Sequence, residues 1–189
     1  DNGAVPPGQT DLSRFNNSWY SPGPRWKVLL WFLLNPLLVN TYLPVPVPLK
    51  IAVLRWFGAQ IGAKVMIKPA VNIKYPWLLT VGAYVWIGEH VWIDNLSPVT
   101  IGDNACLSQG AMLLTGNHDY RRATFDLVTK PIVVEDGVWI GAKSIVCPGI
   151  RCASHAVLAV GSVATRPLEA YGIYQGNPAV LVRKREINA

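Results

Sequence analysis

The chain carries three histidines, and the setting of one of them invites chemistry. His118 lies in Leu113-Leu-Thr-Gly-Asn-His-Asp-Tyr120, where a regular sequence pattern stops before resuming downstream. A neutral imidazole can take a proton from an alcohol near neutral pH as that alcohol attacks a carbonyl. Asn117 and Asp119 flank the histidine and are residue types that shape turns. Asp94 and Asn95 fall at an earlier irregularity of the same pattern: Asp94 is a candidate to orient the histidine or to bind polar substrate groups, and Asn95 a candidate to bind substrate. No cysteine lies at the break, so a covalent acyl-enzyme has no nucleophile there. Cys106, Cys147 and Cys152 have no CxxC spacing, and His90, His118 and His155 fall in different repeats. Neither a zinc site nor a disulfide framework is expected, and a reducing cytoplasm is the natural setting.

The elements that must position these residues follow a six-residue rule. Positions 61, 67, 73; 81, 87, 93; 101, 107, 113; 134, 140, 146; and 152, 158, 164 hold Ile, Leu or Val in thirteen of fifteen cases. Such residues make up only 55 of the 189 in the chain, so composition alone does not give the pattern. Glycine follows the anchor at 62, 82, 88, 102 and 141, where a positive-φ corner is expected, and a second small or apolar residue recurs four positions after most anchors. A period of six excludes an alternating β-sandwich and predicts a solenoid in which one anchor per hexad fills the interior. Three hexads make one triangular coil, so about five coils form a prism on the order of 24 Å tall. The extra residues gather at the end of the third hexad, near 74–80, 94–100 and 117–131. The three insertions therefore stack along one edge of a rigid scaffold, where a site is readily built.

Composition frames the rest. With 51 % hydrophobic and 15 % charged residues the chain is not a disordered one. The net charge of +6 suits an anionic ligand or surface, and the densest basic cluster is Arg183-Lys184-Arg185. Scattered basic residues with one local cluster favour a phosphate site over a nucleic-acid face. No signal peptide is evident. The segment Trp26 to Leu43 is strongly apolar but is broken at Asn35-Pro36. It reads as a helix over about 25–34, a Pro-rich stretch, and a second helix over about 49–57. This is either a helical cap on the main body or a peripheral contact with a membrane through a Trp/Leu/Phe face. The divisions expected are 1–60 for an N-terminal extension, 61–166 for the β-helix with its excursion 117–131, and 167–189 for a short C-terminal tail.

The stretches "LRWFGAQIGAKVMIKP", "NIKYPWLLTVGAYVWIGE", "LLTGNHDY", "KPIVVEDGVWIGAKSIVCPGI" and "GNPAVLVR" together resemble the hexapeptide-repeat O-acyltransferases that use acetyl-CoA, in particular those of colanic acid biosynthesis. The resemblance implies an all-β, left-handed parallel β-helix and a homotrimer with active sites between neighbouring prisms. It also implies transfer from acetyl-CoA, with no metal, to a sugar of an exopolysaccharide or of its lipid-linked or nucleotide precursor. His118 matches the catalytic histidine, and Glu89 the position that faces the acceptor, which makes Glu89 a second candidate to orient His118 or to bind sugar hydroxyls. Ala142 and Val160 match positions whose main chain contacts the pantetheine arm, with Trp139 beside that groove. Thr165, Arg166, Arg183 and Lys184 lie toward the end where the nucleotide phosphates should sit, Arg being apt for phosphate. Cys152-Ala-Ser-His155 departs from the usual IGDG. Two other readings stay open: an N-acetyltransferase of an amino sugar on the same fold, and a non-catalytic β-helix that only binds.

Overall fold

The computed structural model of the protein describes residues 8–188; residues 1–7 and 189, the outer ends of the expected extension and tail, lie outside the described residues. From Gln60 the chain winds into a three-faced parallel β-solenoid. The first face stacks Gln60–Ile61, Leu79–Val81, Val99–Ile101, Ile132–Val134 and Arg151–Cys152. The second stacks Met66–Ile67, Trp86–Ile87, Cys106–Leu107, Trp139–Ile140 and Val157–Leu158. The third stacks Asn72–Ile73, Trp92–Asp94, Met112–Leu114, Ile145–Val146 and Val163–Ala164.

Register follows the hexad. Ile61 pairs with Val81, Val81 with Ile101, Ile101 with Val134, and Val134 with Cys152. All fifteen anchors are buried, none more than 8 % exposed. The smaller residues four positions on, such as Val85, Ala105 and Val138, are buried as well. β-branched side chains stacked in parallel rows suit this interior. Ser144 and Ser162 are tolerated there because they are satisfied. Ser144 Oγ donates to the Ala159 carbonyl at 2.7 Å, and Ser162 Oγ accepts from Gly176 N–H at 3.0 Å.

The glycines after the anchors have a different cause from the one expected. Positive φ falls two residues later, at Lys64, Tyr84, His90, Asn104 and Lys143. What Gly82 supplies is space. A Cβ there would lie 2.7 Å from the Asp103 backbone nitrogen and 2.3 Å from its Oδ1. Those are the atoms of the next coil that stitch the corner, since Asp103 Oδ1 accepts from Ala83 N–H at 2.7 Å. Coil spacing, not backbone conformation, selects the residue.

Two helices close the first coil. Helix α1, Arg25–Leu38, runs past its Pro36 because only its last turn loses a bond there. Helix α2, Val47–Trp56, starts behind Pro46. Leu54 and Phe57 are buried over the open end, and Trp31 packs on Phe57 while its indole N–H donates to the Ile73 carbonyl at 2.8 Å. At the other end, the stretch expected as a tail adds a partial sixth turn. Leu168 bridges to Cys152, and Tyr174 pairs with Leu158. Strand Gly172–Gly176 then turns back into antiparallel Ala179–Lys184.

Replacing Gly82 by Ala should lower the unfolding free energy by about 1–3 kcal/mol, the usual penalty of overpacking. Asn104→Gly, at a positive-φ corner, should change it by less than about 1 kcal/mol. Denaturant midpoints measured on both variants check this contrast.

Candidate active site

The break after Leu113 is a β-hairpin that leaves the third face. Strand Gly116–His118 pairs antiparallel with Leu127–Thr129, and His118 stands opposite Leu127. The root is fixed to the coil below. Thr115 N–H and Oγ1 both donate to the Asp94 carbonyl, at 3.2 and 2.8 Å, and Lys130 N–H donates to the Thr115 carbonyl at 2.9 Å. The far part is braced by ion pairs of Asp119 with Arg121 and Arg122, and of Arg122 with Asp126 at 2.9 Å. Hydrogen bonding to the neighbouring Thr124, and then to Arg122, holds the Asp126 carboxyl below the ordinary carboxylate range.

His118 is half-buried, and its ring is held on one side by the hairpin itself. Nδ1 lies 2.9 Å from the Phe125 carbonyl oxygen, and the two rings stack at 4.4 Å with 6° between their planes. Phe15, from the N-terminal segment, lies 5.7 Å away. A carbonyl can only accept, so Nδ1 carries the hydrogen, and in the neutral ring Nε2 keeps its lone pair. Phe125 presents that carbonyl from φ +51, a left-handed conformation that a bulky residue rarely adopts. Backbone strain at a group that orients a histidine is a mark of a built site.

The acidic candidates are arranged differently from one another. Asp94 is beside the hairpin root, paired with Leu114 across the ladder, and its carboxylate meets Lys74 Nζ at 2.8 Å. Glu89 is exposed at another corner of the prism, between the second and third faces. Neither carboxylate is the partner of the His118 ring; a backbone carbonyl is. Asn117 folds back so that its Oδ1 accepts from the His118 N–H at 2.8 Å. Asn95 is fully buried and corrects the expectation that it meets substrate. Its amide donates to the Tyr75 carbonyl at 2.7 Å and accepts from the Tyr75 N–H at 2.9 Å, so it replaces a missing rung between two stacked bulges.

A groove of about 420 Å³ runs beside Asp94 under helix α1, lined by Asn35, Asn72, Lys74, Tyr75, Trp92 and Phe32 among others. Asn35 donates to Asn72 Oδ1 at 3.1 Å, while its own buried Oδ1 has no partner. Burial pushes the Tyr75 phenol upward, offset in part by Lys74, with a lesser upward push from Asp94. Aromatic walls with an idle acceptor suit a polyhydroxylated ligand.

A second groove, of about 770 Å³, lies at the upper corner between the second and third faces. It gathers Trp139, Ala142, Val160 and Arg183 from the residues expected around a cofactor. Thr165 and Arg166 follow the strand Val163–Ala164 on a different corner and do not line it. Lys184 turns to Glu169 at 3.1 Å instead. Trp139 is fixed by its indole N–H, which donates to Ser108 Oγ at 2.9 Å. Sequence reasoning missed Gln175 and Arg185, which join the groove because the C-terminal stretch folds back as a hairpin. Arg185 also bonds the Gly137 and His155 carbonyls, at 2.9 and 3.2 Å. The signal available was the six-residue interval between Leu168 and Tyr174.

Among the described residues no three His, Cys, Asp or Glu side chains gather as a metal site. Burial raises the thiols of Cys106 and Cys147, and pushes that of Cys152 up to about 12.

No family model matches the chain. It is 35 % identical over 176 residues to WcaF of Escherichia coli (strain K12), a protein named for acetyl transfer in colanic acid biosynthesis, covering 93 % of this chain and 97 % of that one. It is 27 % identical over 133 residues to the galactoside O-acetyltransferase of Escherichia coli (strain K12), covering 69 % and 64 %. Among solved structures, the hexapeptide-repeat acetyltransferase VCA0836 of Vibrio cholerae superposes with a TM-score of 0.78 at 24 % identity, over 86 % of this chain and 92 % of that one. The same Vibrio protein complexed with acetyl coenzyme A gives 0.74 at 25 % identity, over 86 % and 87 %. The solenoid is thus the left-handed β-helix of hexapeptide-repeat proteins.

In the native protein at about pH 8, Cys152 should resist alkylation by iodoacetamide and react only on unfolding, since the thiolate is the reactive form. Mass spectrometry of the labelled peptides checks this.

Proposed function

The chain belongs to the hexapeptide-repeat acetyltransferase family, and from that premise we propose that it moves acetyl from acetyl-CoA to a sugar hydroxyl with His118 as general base. The acceptor in this reading is an exopolysaccharide or its lipid-linked or nucleotide precursor, as the likeness to a protein named for colanic acid biosynthesis suggests. The observation that carries the reading is the bond from His118 Nδ1–H to the Phe125 carbonyl, which leaves Nε2 free to accept a proton.

The chemistry follows directly. Nε2 takes the hydroxyl proton as the sugar oxygen attacks the thioester carbonyl. The tetrahedral intermediate collapses by breaking the carbon–sulfur bond, and the imidazolium returns its proton to the departing CoA thiolate. Transfer is direct: the thiols are held protonated by burial, and none lies in the hairpin. The acetyl-CoA is assigned to the 770 Å³ groove, with Arg183 toward its phosphates and Trp139, Ala142 and Val160 along the pantetheine arm. The sugar is assigned to the hairpin root and the groove of Asp94 and Asn35.

Within one chain the hairpin and the larger groove stand on different corners of the prism. That separation supports a homotrimer in which the hairpin of one subunit reaches the groove of its neighbour. The use of acetyl-CoA and three unpaired cysteines support a cytoplasmic setting.

His118→Ala should lower turnover by about 10²–10⁴-fold while the affinity for acetyl-CoA stays within a few-fold. Arg183→Ala should instead raise the KM for acetyl-CoA with a smaller effect on kcat. Turnover against a panel of sugars, nucleotide sugars, lipid-linked sugars and amino sugars identifies the acceptor class. Undiminished turnover in the His118 variant would overturn the assignment, and an amide product would move the acceptor from alcohol to amine.

A further inference from the structure

Helix α1 has two faces, and the catalytic reading uses only one. Trp31, Leu30, Leu34 and Leu38 pack on the core. On the opposite side Trp26, Leu29, Phe32, Leu33 and Leu37 are 55–76 % exposed. At 100° per residue these five fall within an arc of about 140°, a continuous apolar stripe open to solvent. Tyr42 and Leu43 in the following loop, and Trp56 at the end of α2, are also more than half exposed. A stripe of this kind needs an explanation, unlike scattered surface leucines.

The charge pattern indicates what covers it. From Asp11 to Glu89 the chain has no acidic residue between them, yet it holds Arg14, Arg25, Lys27, Lys50, Arg55, Lys64, Lys68 and Lys74. This segment contains both helices and the first coil, so that end of the prism carries cations and no carboxylate of its own, with Lys74 paired to Asp94 of the next coil. Arg25 begins the helix, and Lys27 lies over the Trp77 ring at 4.7 Å. Lys50 is nearly buried, bonded by Nζ to the Lys68 carbonyl at 3.2 Å. Exposed Trp, Phe and Leu on a cationic, acid-free helix fit a surface that is apolar within and anionic outside. No helix among the described residues is long and apolar enough to cross a bilayer.

We propose that the helical end of the solenoid docks on an anionic lipid bilayer, with α1 lying in the interface and its stripe of Trp26, Leu29, Leu33 and Leu37 entering the apolar layer. Phe32 belongs to both that stripe and the rim of the Asp94 groove, so docking brings the groove mouth to the lipid surface. Membrane contact does not depend on the acetyl-transfer chemistry, and the two are separable by measurement.

The test is co-sedimentation of the full-length protein with vesicles of phosphatidylcholine alone or with phosphatidylglycerol. The wild type should bind the phosphatidylglycerol vesicles, less so as salt rises, and the phosphatidylcholine vesicles weakly. Leu29→Gln combined with Leu33→Gln should reduce binding by roughly tenfold or more, since two large side chains no longer leave water. Its melting temperature and its turnover of a soluble acceptor should stay near the wild-type values. A wild type that ignores anionic vesicles, or a double variant that binds them as well, would overturn the proposal. So would light scattering that shows the wild type paired through this face and the double variant dissociated, which would make a second copy the occupant.

Discussion

The spacing of coil upon coil governs this molecule. Each turn must lie one strand separation above the last on all three faces at once, about 4.8 Å. That constraint selects a buried branched residue every sixth position. It selects glycine where Gly82 faces the backbone of Asp103, and an aspartate at 103 and 136, each accepting from a backbone N–H of the preceding coil. It also forbids extra residues on two of the three corners. Variation is therefore driven to the remaining edge, where the bulges at Lys74–Leu78 and Asp94–Pro98 stack and where the hairpin departs.

His118 inherits its precision from that rigidity. His118 is only four residues from Leu114, whose partner is Asp94 of the coil below. The hairpin then closes on itself, and its own strained turn returns a carbonyl to the imidazole. An uncharged acceptor sets the tautomer without adding a negative charge beside the imidazole. Asp94 is instead held against Lys74 in the aromatic-walled groove under α1.

Much of this was legible in the sequence, for a physical reason: the hexad is a local rule with a long-range consequence. Fifteen anchors read at fixed spacing all turned out buried, and the enlarged edge was placed from insertions alone. Single side chains were harder. Asn95 looks like a ligand at a bulge but bonds the main chain of Tyr75, because a bulge leaves backbone groups that must be paired. The sequence offers carboxylates as partners for His118, whereas main-chain carbonyls carry no sequence identity. Lys184 and Arg183 are neighbours in a strand, so they point to opposite sides and only Arg183 reaches the groove. Glycine after five of the anchors is plain in the sequence, but the coil-to-coil contact that demands it joins residues some twenty positions apart.

The two ends of the stack have a consequence of their own. A bare parallel solenoid presents unpaired strands above and below, and nothing in its repeat says where to stop. Here α2 covers the first coil. At the other end the last strand reverses direction, and its outer edge carries Arg183 and Lys184 before Arg185. A reversed, positively charged edge cannot seat the first coil of another molecule in register. The protein thereby has a fixed length, and it escapes the end-to-end fibre growth to which its own repeat would otherwise lead.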